Sequence, residues 1–514
     1  MKILSAQQIR EADAYTIKHE PIASIDLMER AANACFQWIY DRAPKLFPSQ
    51  LDERDYVFYV ICGVGNNGGD GLVIARLLSR NGYEVKVVIV EFSKNYSEDF
   101  SANLAKLKKT KVPIEIANSA EVIPDIPPGA LVIDALFGTG LARPAEGLAL
   151  LAIQNINASG ARVVSVDMPS GLFAEDNREN DYQGVVRAHH VLTFQFPKLA
   201  FLLGDTARLC GKVEVLDIGL HRDFTDKVET PYFCVSDEWV RQRILPRERF
   251  GHKGTFGHVA VVAGSYGMMG AAVLCSRSAL QGGAGAVTAF VPEVGVQVVQ
   301  TAVPEVMVKP VGDHAISGDK FPPKEMGAWA IGPGIGTQKD TGSWLKAALA
   351  QCDAPLVLDA DALNILSENK AWLKSLPADT ILTPHPGEFR RLAGDWSTNY
   401  ERLQLLREFA SNHKVYVVLK GANTSTATPD GDVFFNTTGN SGMATAGSGD
   451  SLTGIIASLR AQGYAARDAA VIGVFLHGRA GDLAALEHGE HALIASHITQ
   501  FLGNAFLSLN LPQN

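Results

Sequence analysis

Cysteine is scarce in this 514-residue chain. Cys35, Cys62, Cys210, Cys234, Cys275 and Cys352 stand far apart, and no two have the Cys-x-x-Cys spacing. That excludes a disulfide framework or a zinc ribbon and predicts reduced, mostly buried thiols of a cytoplasmic protein. Positive charge is also short: the formal net charge is −9 and no long basic run occurs, which argues against a general nucleic-acid binder. No apolar run reads as long enough to span a bilayer, so no membrane insertion is expected. The first residues, MKILSAQQIREADAYT, read as an amphipathic charged helix and not as a signal peptide.

Glycine is plentiful at 48 residues, with 46% hydrophobic and 20% charged content. This is the make-up of an α/β protein with many tight strand-to-helix turns. The length favours two domains, placed at residues 1–222 and 235–510. Residues 5–18 and 25–40 have helical periodicity, with Ser5 a candidate N-cap. Residues 56–62 (YVFYVIC) form a continuous apolar run, as in a strand buried on both faces of a parallel sheet. A loop GVGNNGGDG follows, then a helix from Leu72. Strand, glycine loop, helix is the order of a nucleotide phosphate site. The match to the dinucleotide fingerprint is loose, and paired Asn66 and Asn67 with Asp70 instead offer oxygen groups to a polar substrate or a hard monovalent cation.

Two further strands, residues 131–135 and 163–166, end in DALFGTGL and VDMPSGL. Ligands of open α/β sheets bind at the carboxyl ends of strands, so these loops should converge. One aspartate at a strand end is often only a cap; three such loops together predict a site. Lys198 follows a strand end and reads equally as a phosphate contact or a solvated surface lysine.

Together NNGGDG, DALFGTGL and VDMPSGL resemble the NAD(P)H-hydrate epimerase domain, over roughly the first 220 residues. The resemblance implies a Rossmann-like three-layer fold and interconversion of the R and S hydrates of NADH and NADPH. It implies substrate contacts from Asn66, Asn67, Gly68, Gly69, Asp70, Gly138, Thr139, Gly140, Leu141, Ala142, Arg143, Pro144 and Asp167. It also implies a potassium ion on Asn67, Asp134 and Ser170. Asp167 is the candidate for proton transfer. Ala142-Arg143-Pro144 departs from what many members carry, so the part of Arg143 is the least specified.

Residues 221–249 are charged, contain Pro231 and Pro246 and lack a long apolar period, which reads as a connection. Beyond it, strand candidates again end in polar loops, in the order GPGIG, DADALN, TPHPGE, KGANT and GSGD. In the last, Gly447-Ser448-Gly449-Asp450 precedes a helical run from Leu452. Glycines let a backbone approach an anion, and helix-start amides point at it. A carboxylate there would repel phosphate, which suggests a base aimed at a hydroxyl. Taken alone, Asp450 would be a helix cap.

The five motifs in this order resemble the ribokinase-like superfamily, and more narrowly the ADP- or ATP-dependent NAD(P)H-hydrate dehydratases, over roughly the last half of the chain. The resemblance implies a ribokinase-like α/β domain in which Lys420, Gly421, Ala422, Asn423, Thr424 and Gly449 bind nucleotide. Ala271, Gly334, His385 and Asp450 would contact the hydrate, with Asp450 catalytic. Sugar kinases of this fold carry Asn-x-x-Glu where this chain has His385-Pro386-Gly387-Glu388, which argues against a plain sugar kinase. The implied function is metabolite repair: epimerisation of the hydrates, then dehydration of the S epimer with magnesium and ADP. A cytoplasmic homo-oligomer is expected. The alternative is a small-molecule kinase whose first domain is a regulatory module for nicotinamide nucleotides.

Overall fold

The computed structural model describes residues 1–47 and 56–511. Two compact units emerge: Lys2–Thr230 with Thr398–Tyr400, and Pro231–Ser397 with Glu401–Asn514 and Met1. The α/β class holds in both.

In the first unit the strands are β1 (Val57–Cys62), β2 (Glu84–Val90), β3 (Ile114–Ala117), β4 (Leu131–Ala135), β5 (Arg162–Val166), β6 (His190–Phe194) and β7 (Lys212–Leu216), the central ones apolar throughout or nearly so. They form one parallel sheet in the order β3-β2-β1-β4-β5-β6-β7. Phe58, Val60 and Cys62 of β1 enter one apolar core, and Tyr59 and Ile61 enter another on the opposite face. The sheet is therefore covered on both sides, which is why β1 reads as an unbroken apolar run. The strand order reverses between β1 and β4, and a crevice opens at such a switch point.

The helix after β1 begins earlier than the sequence suggests. Residues read as a glycine loop are already helical in Asn66–Arg80. The glycines serve close packing. A Cβ on Gly68 would stand 2.0 Å from the Gly63 carbonyl oxygen, and one on Gly71 would stand 2.7 Å from Ala135 Cβ. The helix thus lies almost on the strands. The first helix, Ala6–His19, matches its expected place and carries a full capping box between Ser5 and Gln8.

The second unit holds a ten-stranded sheet: β8 (Tyr232–Cys234), β9 (His258–Val262), β10 (Ala286–Val291), β11 (Met307–Pro310), β12 (Ala328–Ile331), β13 (Leu356–Leu358), β14 (Ile381–Leu382), β15 (Tyr416–Leu419), β16 (Ser425–Ala427) and β17 (Val433–Phe435). Its order is β11-β10-β9-β12-β13-β14-β15-β16-β17-β8. From β11 to β15 all neighbours are parallel; β15, β16 and β17 pair antiparallel, and β8 joins β17 in parallel. The sequence reading of 221–249 as connection missed β8, because three residues are too few to show a period. Here the switch lies between β9 and β12.

One expectation about apolar runs needs correction. Helix Ala466–His488 is long and apolar enough to cross a membrane by length and composition alone. Yet 72% of its apolar window is buried inside the fold, where Ile472, Phe475 and Leu476 join the core of the second unit. All six cysteines are free thiols; five are buried and Cys234 is half-buried. Burial pushes the Cys210 thiol up to about 12 and Cys352 up to about 11, with Cys35 and Cys275 raised well above the ordinary range.

Candidate active sites

A cavity of about 870 Å³ opens at the switch point of the first sheet. The helix start supplies Asn66, Asn67 and Asp70 to its wall, and the turn after β4 supplies Gly138, Thr139, Gly140 and Leu141. Asp167, at the end of β5, completes the part that the motifs had named. The remaining candidates stand elsewhere. Gly68 and Gly69 are not among the residues of the cavity wall, and a Cβ on Gly69 would fall 2.7 Å from Met28 Sδ. Ala142 and Arg143 are exposed, and they and Pro144 are absent from the cavity wall.

Asp167 adopts φ 64°, a left-handed conformation that costs a non-glycine residue energy and recurs at functional sites. Its Oδ1 accepts from Lys198 Nζ at 2.7 Å and from Thr193 Oγ1 and the Phe194 amide at 3.3 Å. Lys198 is 0% exposed and also donates to Thr193 Oγ1 at 2.6 Å. It is therefore no solvated surface lysine; it is the buried partner of Asp167. Asp167 Oδ2 and Asn67 Oδ1 would both lie 3.3 Å from a Cβ on Gly138, so a side chain there would crowd both.

Asp134 is fully buried. Its oxygens accept from Ser170 Oγ at 2.5 Å, Ser165 Oγ at 2.7 Å and the Ser170 amide at 2.9 Å. Ser170 Oγ accepts in turn from the Phe137 amide at 2.9 Å. Asp134 and Ser170 thus support the Phe137-Gly138 turn from beneath, while Asn67 meets that turn from the cavity. Burial raises the pKa of Asp134 against the pull of these hydrogen bonds.

Three carboxylates, Asp13, Asp70 and Asp99, share the cavity with Asp167. Burial, then the charges of Asp167, Asp13 and Asp99, raises the pKa of Asp70 well above the carboxylate range. Asp13 on the first helix is pushed up to about 7 by burial and then by Asp167, with Lys198 opposing. Sequence reasoning passed over Asp13. Its one signal is an acid lying four residues from both Ile9 and Ile17, on the buried side of the helix.

In the second unit the loops after β9 and β12 are tied together. Gly264 N donates to Pro333 O at 2.8 Å, and Ser265 Oγ donates to Gly334 O at 2.8 Å. Gly334 has φ 64°, and a Cβ on it would approach Ala271 Cβ at 3.1 Å, so these two candidates are neighbours. KGANT proves to be the hairpin loop between antiparallel β15 and β16.

Helix Ser448–Ala461 starts at once after Gly447, whose φ of 87° suits glycine alone. Ser448, Gly449 and Asp450 are its first turn, not a loop before it. Lys420 Nζ lies 3.1 Å from where a Gly449 Cβ would be and 2.8 Å from Asp359 Oδ1. Thr453 Oγ1 holds the other Asp359 oxygen at 2.7 Å. Asp359 is 1% exposed and fixes Lys420 against the helix start. Burial opposes the lysine's charge, yet Asp359, Glu388 and Asp450 together raise its pKa. Asp450 is pushed up to about 6 by burial and by Asp359, with Lys420 opposing. His385 caps helix Pro386–Ala393: its Nδ1 accepts from Gly387 N at 2.9 Å, and its own amide donates to Glu388 Oε2 at 2.7 Å. The motifs had not assigned parts to Asp359 or Thr453; sequence spacing cannot show which strand-end aspartate meets a lysine 61 residues on.

Sheets whose strand ends carry acids, lysines and helix starts define a two-unit α/β enzyme. Known proteins agree with that class and narrow it. Residues 24–200 match the family described as YjeF-related protein N-terminus, and residues 259–503 match NAD(P)H-hydrate dehydratase. The bifunctional NAD(P)H-hydrate repair enzyme Nnr of Moorella thermoacetica is 38% identical, covering 98% of this chain and 96% of its own. The enzyme of the same name from Escherichia coli K12 is 34% identical over 96% of this chain and 92% of its own. Among solved structures, the ADP/ATP-dependent NAD(P)H-hydrate dehydratase from Bacillus subtilis, co-crystallised with ATP/Mg2+, is 31% identical, with a TM-score of 0.47 over 53% of this chain and 97% of that one. The chain belongs to the family of bifunctional NAD(P)H-hydrate repair enzymes.

Proposed function

We propose that this chain epimerises the R and S hydrates of NADH and NADPH in its first unit and dehydrates the S epimer in its second. ADP drives the dehydration and leaves as AMP and phosphate. The observation that carries the reading is Asp450 in the first turn of helix Ser448–Ala461, beside a Lys420 held by Asp359.

The chemistry follows from a leaving-group problem. Hydroxide leaves poorly, and a phosphorylated hydroxyl leaves well. Asp450 takes the proton of the substrate hydroxyl as it attacks the terminal phosphoryl group. The amides of Gly447, Ser448 and Gly449, with Lys420, face the negative charge that develops. The C–O bond then breaks with its electrons going to the phosphate, the neighbouring ring carbon gives up a proton to the phosphate or to solvent, and the C–H electrons form the C=C bond that restores the dihydronicotinamide ring. The hairpin of Lys420, Gly421, Ala422, Asn423 and Thr424 cradles the AMP portion; Ala271, Gly334 and His385 contact the hydrate. Among the described residues no group of three or more His, Cys, Asp or Glu is placed to hold a metal. Magnesium bound with the nucleotide would neutralise the charge of its phosphates.

In the first unit Asn66, Asn67, Asp70 and the Gly138-Thr139-Gly140-Leu141 turn contact the hydrate, and Asp167 moves the proton. Two features favour potassium near Asn67, Asp134 and Ser170. Asp134 is a buried carboxylate without an ion-pair partner among the described residues, and the Asn67 side-chain amide nitrogen is buried without a hydrogen bond. Amide oxygen and nitrogen are interchangeable by a flip, which would turn an oxygen toward a cation. A monovalent ion bound there would balance Asp134.

The test uses separated R and S NADH hydrates and the purified chain, following recovery of NADH absorbance with ADP, with ATP and with neither. S hydrate should recover only with nucleotide, and R hydrate should be consumed faster than its spontaneous epimerisation. No reaction of either hydrate in a folded sample would defeat the proposal.

A further inference from the structure

The first cavity holds a carboxylate that the proposed scheme does not use. Asp13 lies on its wall between Ile9 and Ile17, one helical turn from each. An ionisable group in the middle of an apolar stripe is unfavourable unless it is paired or has work to do. Among the described residues no ion-pair partner reaches it. The same wall carries Asp70, which is 7% exposed and whose Oδ1 has no hydrogen-bond partner. An unpaired oxygen that deeply buried, facing a cavity of about 870 Å³, points to a bound polar ligand.

We infer that Asp13 is a second catalytic acid–base of this cavity, acting with Asp167 on the hydrate's hydroxyl. The inference deepens the epimerase reading and rests on it. The environments of the two acids differ. Asp167 is paired to Lys198 at 2.7 Å. Asp13 has no such partner, and burial and Asp167 push its pKa up to about 7. The charged groups around it are Arg10 on its own helix, Asp70 and Asp99 across the cavity, and the Asp167–Lys198 pair. Two acids in such different surroundings can divide the roles of proton donor and acceptor.

The step balances without any other reactant. Asp13 gives its proton to the hydroxyl on the hydrated carbon. The C–O bond breaks, water leaves, and the ring nitrogen's lone pair forms a C=N⁺ bond. Water adds to the opposite face, the C=N⁺ electrons return to nitrogen, and the surplus proton passes to the Asp167 carboxylate, so the pair again holds one proton and returns it to Asp13 through solvent. Epimerisation by this route exchanges the hydroxyl oxygen with solvent.

The test compares the full-length chain with Asp13→Asn and Asp13→Glu, following conversion of R to S hydrate in ¹⁸O-labelled water. We expect Asp13→Asn to lower kcat at least 10²-fold, the size of an acid–base contribution. KM should stay within about threefold. Asp13→Glu, which keeps the acid, should retain at least a tenth of the rate. ADP-dependent dehydration of S hydrate should be unchanged in both variants. A rate within threefold for Asp13→Asn overturns the inference, as does a loss confined to KM or an equal loss in both variants. Wild-type epimerisation without ¹⁸O uptake overturns it too, while leaving the epimerase reading intact. A wild-type chain that does not epimerise at all removes that reading, and the inference with it.

Discussion

In the proposed scheme a single carboxylate, Asp450, sets the chemistry of the second unit. Replacing Asp450 by Asn keeps its size and hydrogen bonding but removes the base, so nucleotide-dependent dehydration should fall by 10²–10⁴-fold. Epimerisation should continue. The pH profile should carry the same signature. Asp450 works as a base only when ionised, and its pKa is pushed from 3.8 up to about 6. Dehydratase kcat/KM should therefore decline as pH falls through about 6, not through 4. The sign for stability is the reverse. A carboxylate whose folded pKa lies above its unfolded value stabilises the fold fully below 3.8 and loses that contribution as pH rises through about 6. Above that window the buried charge is a burden, and Asp450→Asn should raise the second unit's unfolding free energy at pH 8 by about 1–3 kcal/mol. A thermal or denaturant melt that shows no gain would count against the burial of this charge. Single residues were the least legible level of the sequence. Asp167 and Asp450 could be named because motifs carry them. Asp13 could not, and Lys198 could not be told from a surface lysine, since each sits in an ordinary local pattern and gains its surroundings from elements far along the chain.

At the scale of elements, the longer apolar strands are legible and the helix starts inside glycine-rich motifs are not. β1 announces itself because both its faces are buried, so alternation is lost and only an apolar run remains. The helix beginning at Asn66 hides because three of its first six residues are glycine, a poor helix former. The reason lies in packing that no local rule contains: the helix approaches the sheet too closely for a Cβ. Gly71→Ala should accordingly destabilise the first unit by about 1–3 kcal/mol through overpacking against Ala135 and Cys62, in spite of alanine's better helix propensity. Urea melts of the variant would show it; a neutral or stabilising result would mean that the helix can move away. The same error recurs at Ser448-Gly449-Asp450, where the crowding atom is the ammonium of Lys420. The hairpin containing KGANT was read only as a loop after a strand, because β16 and β17 are three residues each.

For the whole molecule, the two reactions have separate machinery. A chain with Asp167→Asn should still dehydrate S hydrate, and one with Asp450→Asn should still produce it from R hydrate. Mixed in equal amounts, the two variants should restore conversion of R hydrate to NADH to roughly half the wild-type rate or better, because the S epimer is released into solution between steps. Failure of the mixture, with each variant active in its own half-reaction, would show that the epimer is handed on within one chain.

The cysteines offer one more consequence. Three fall in the first unit (Cys35, Cys62 and Cys210) and three in the second (Cys234, Cys275 and Cys352). Five are sealed off from reagents, and burial suppresses the thiolate that an alkylating agent would attack. Each unit therefore contains its own silent clock. Timed exposure of the native chain to iodoacetamide, read by peptide mass, would record how often each half opens, without any label having been introduced.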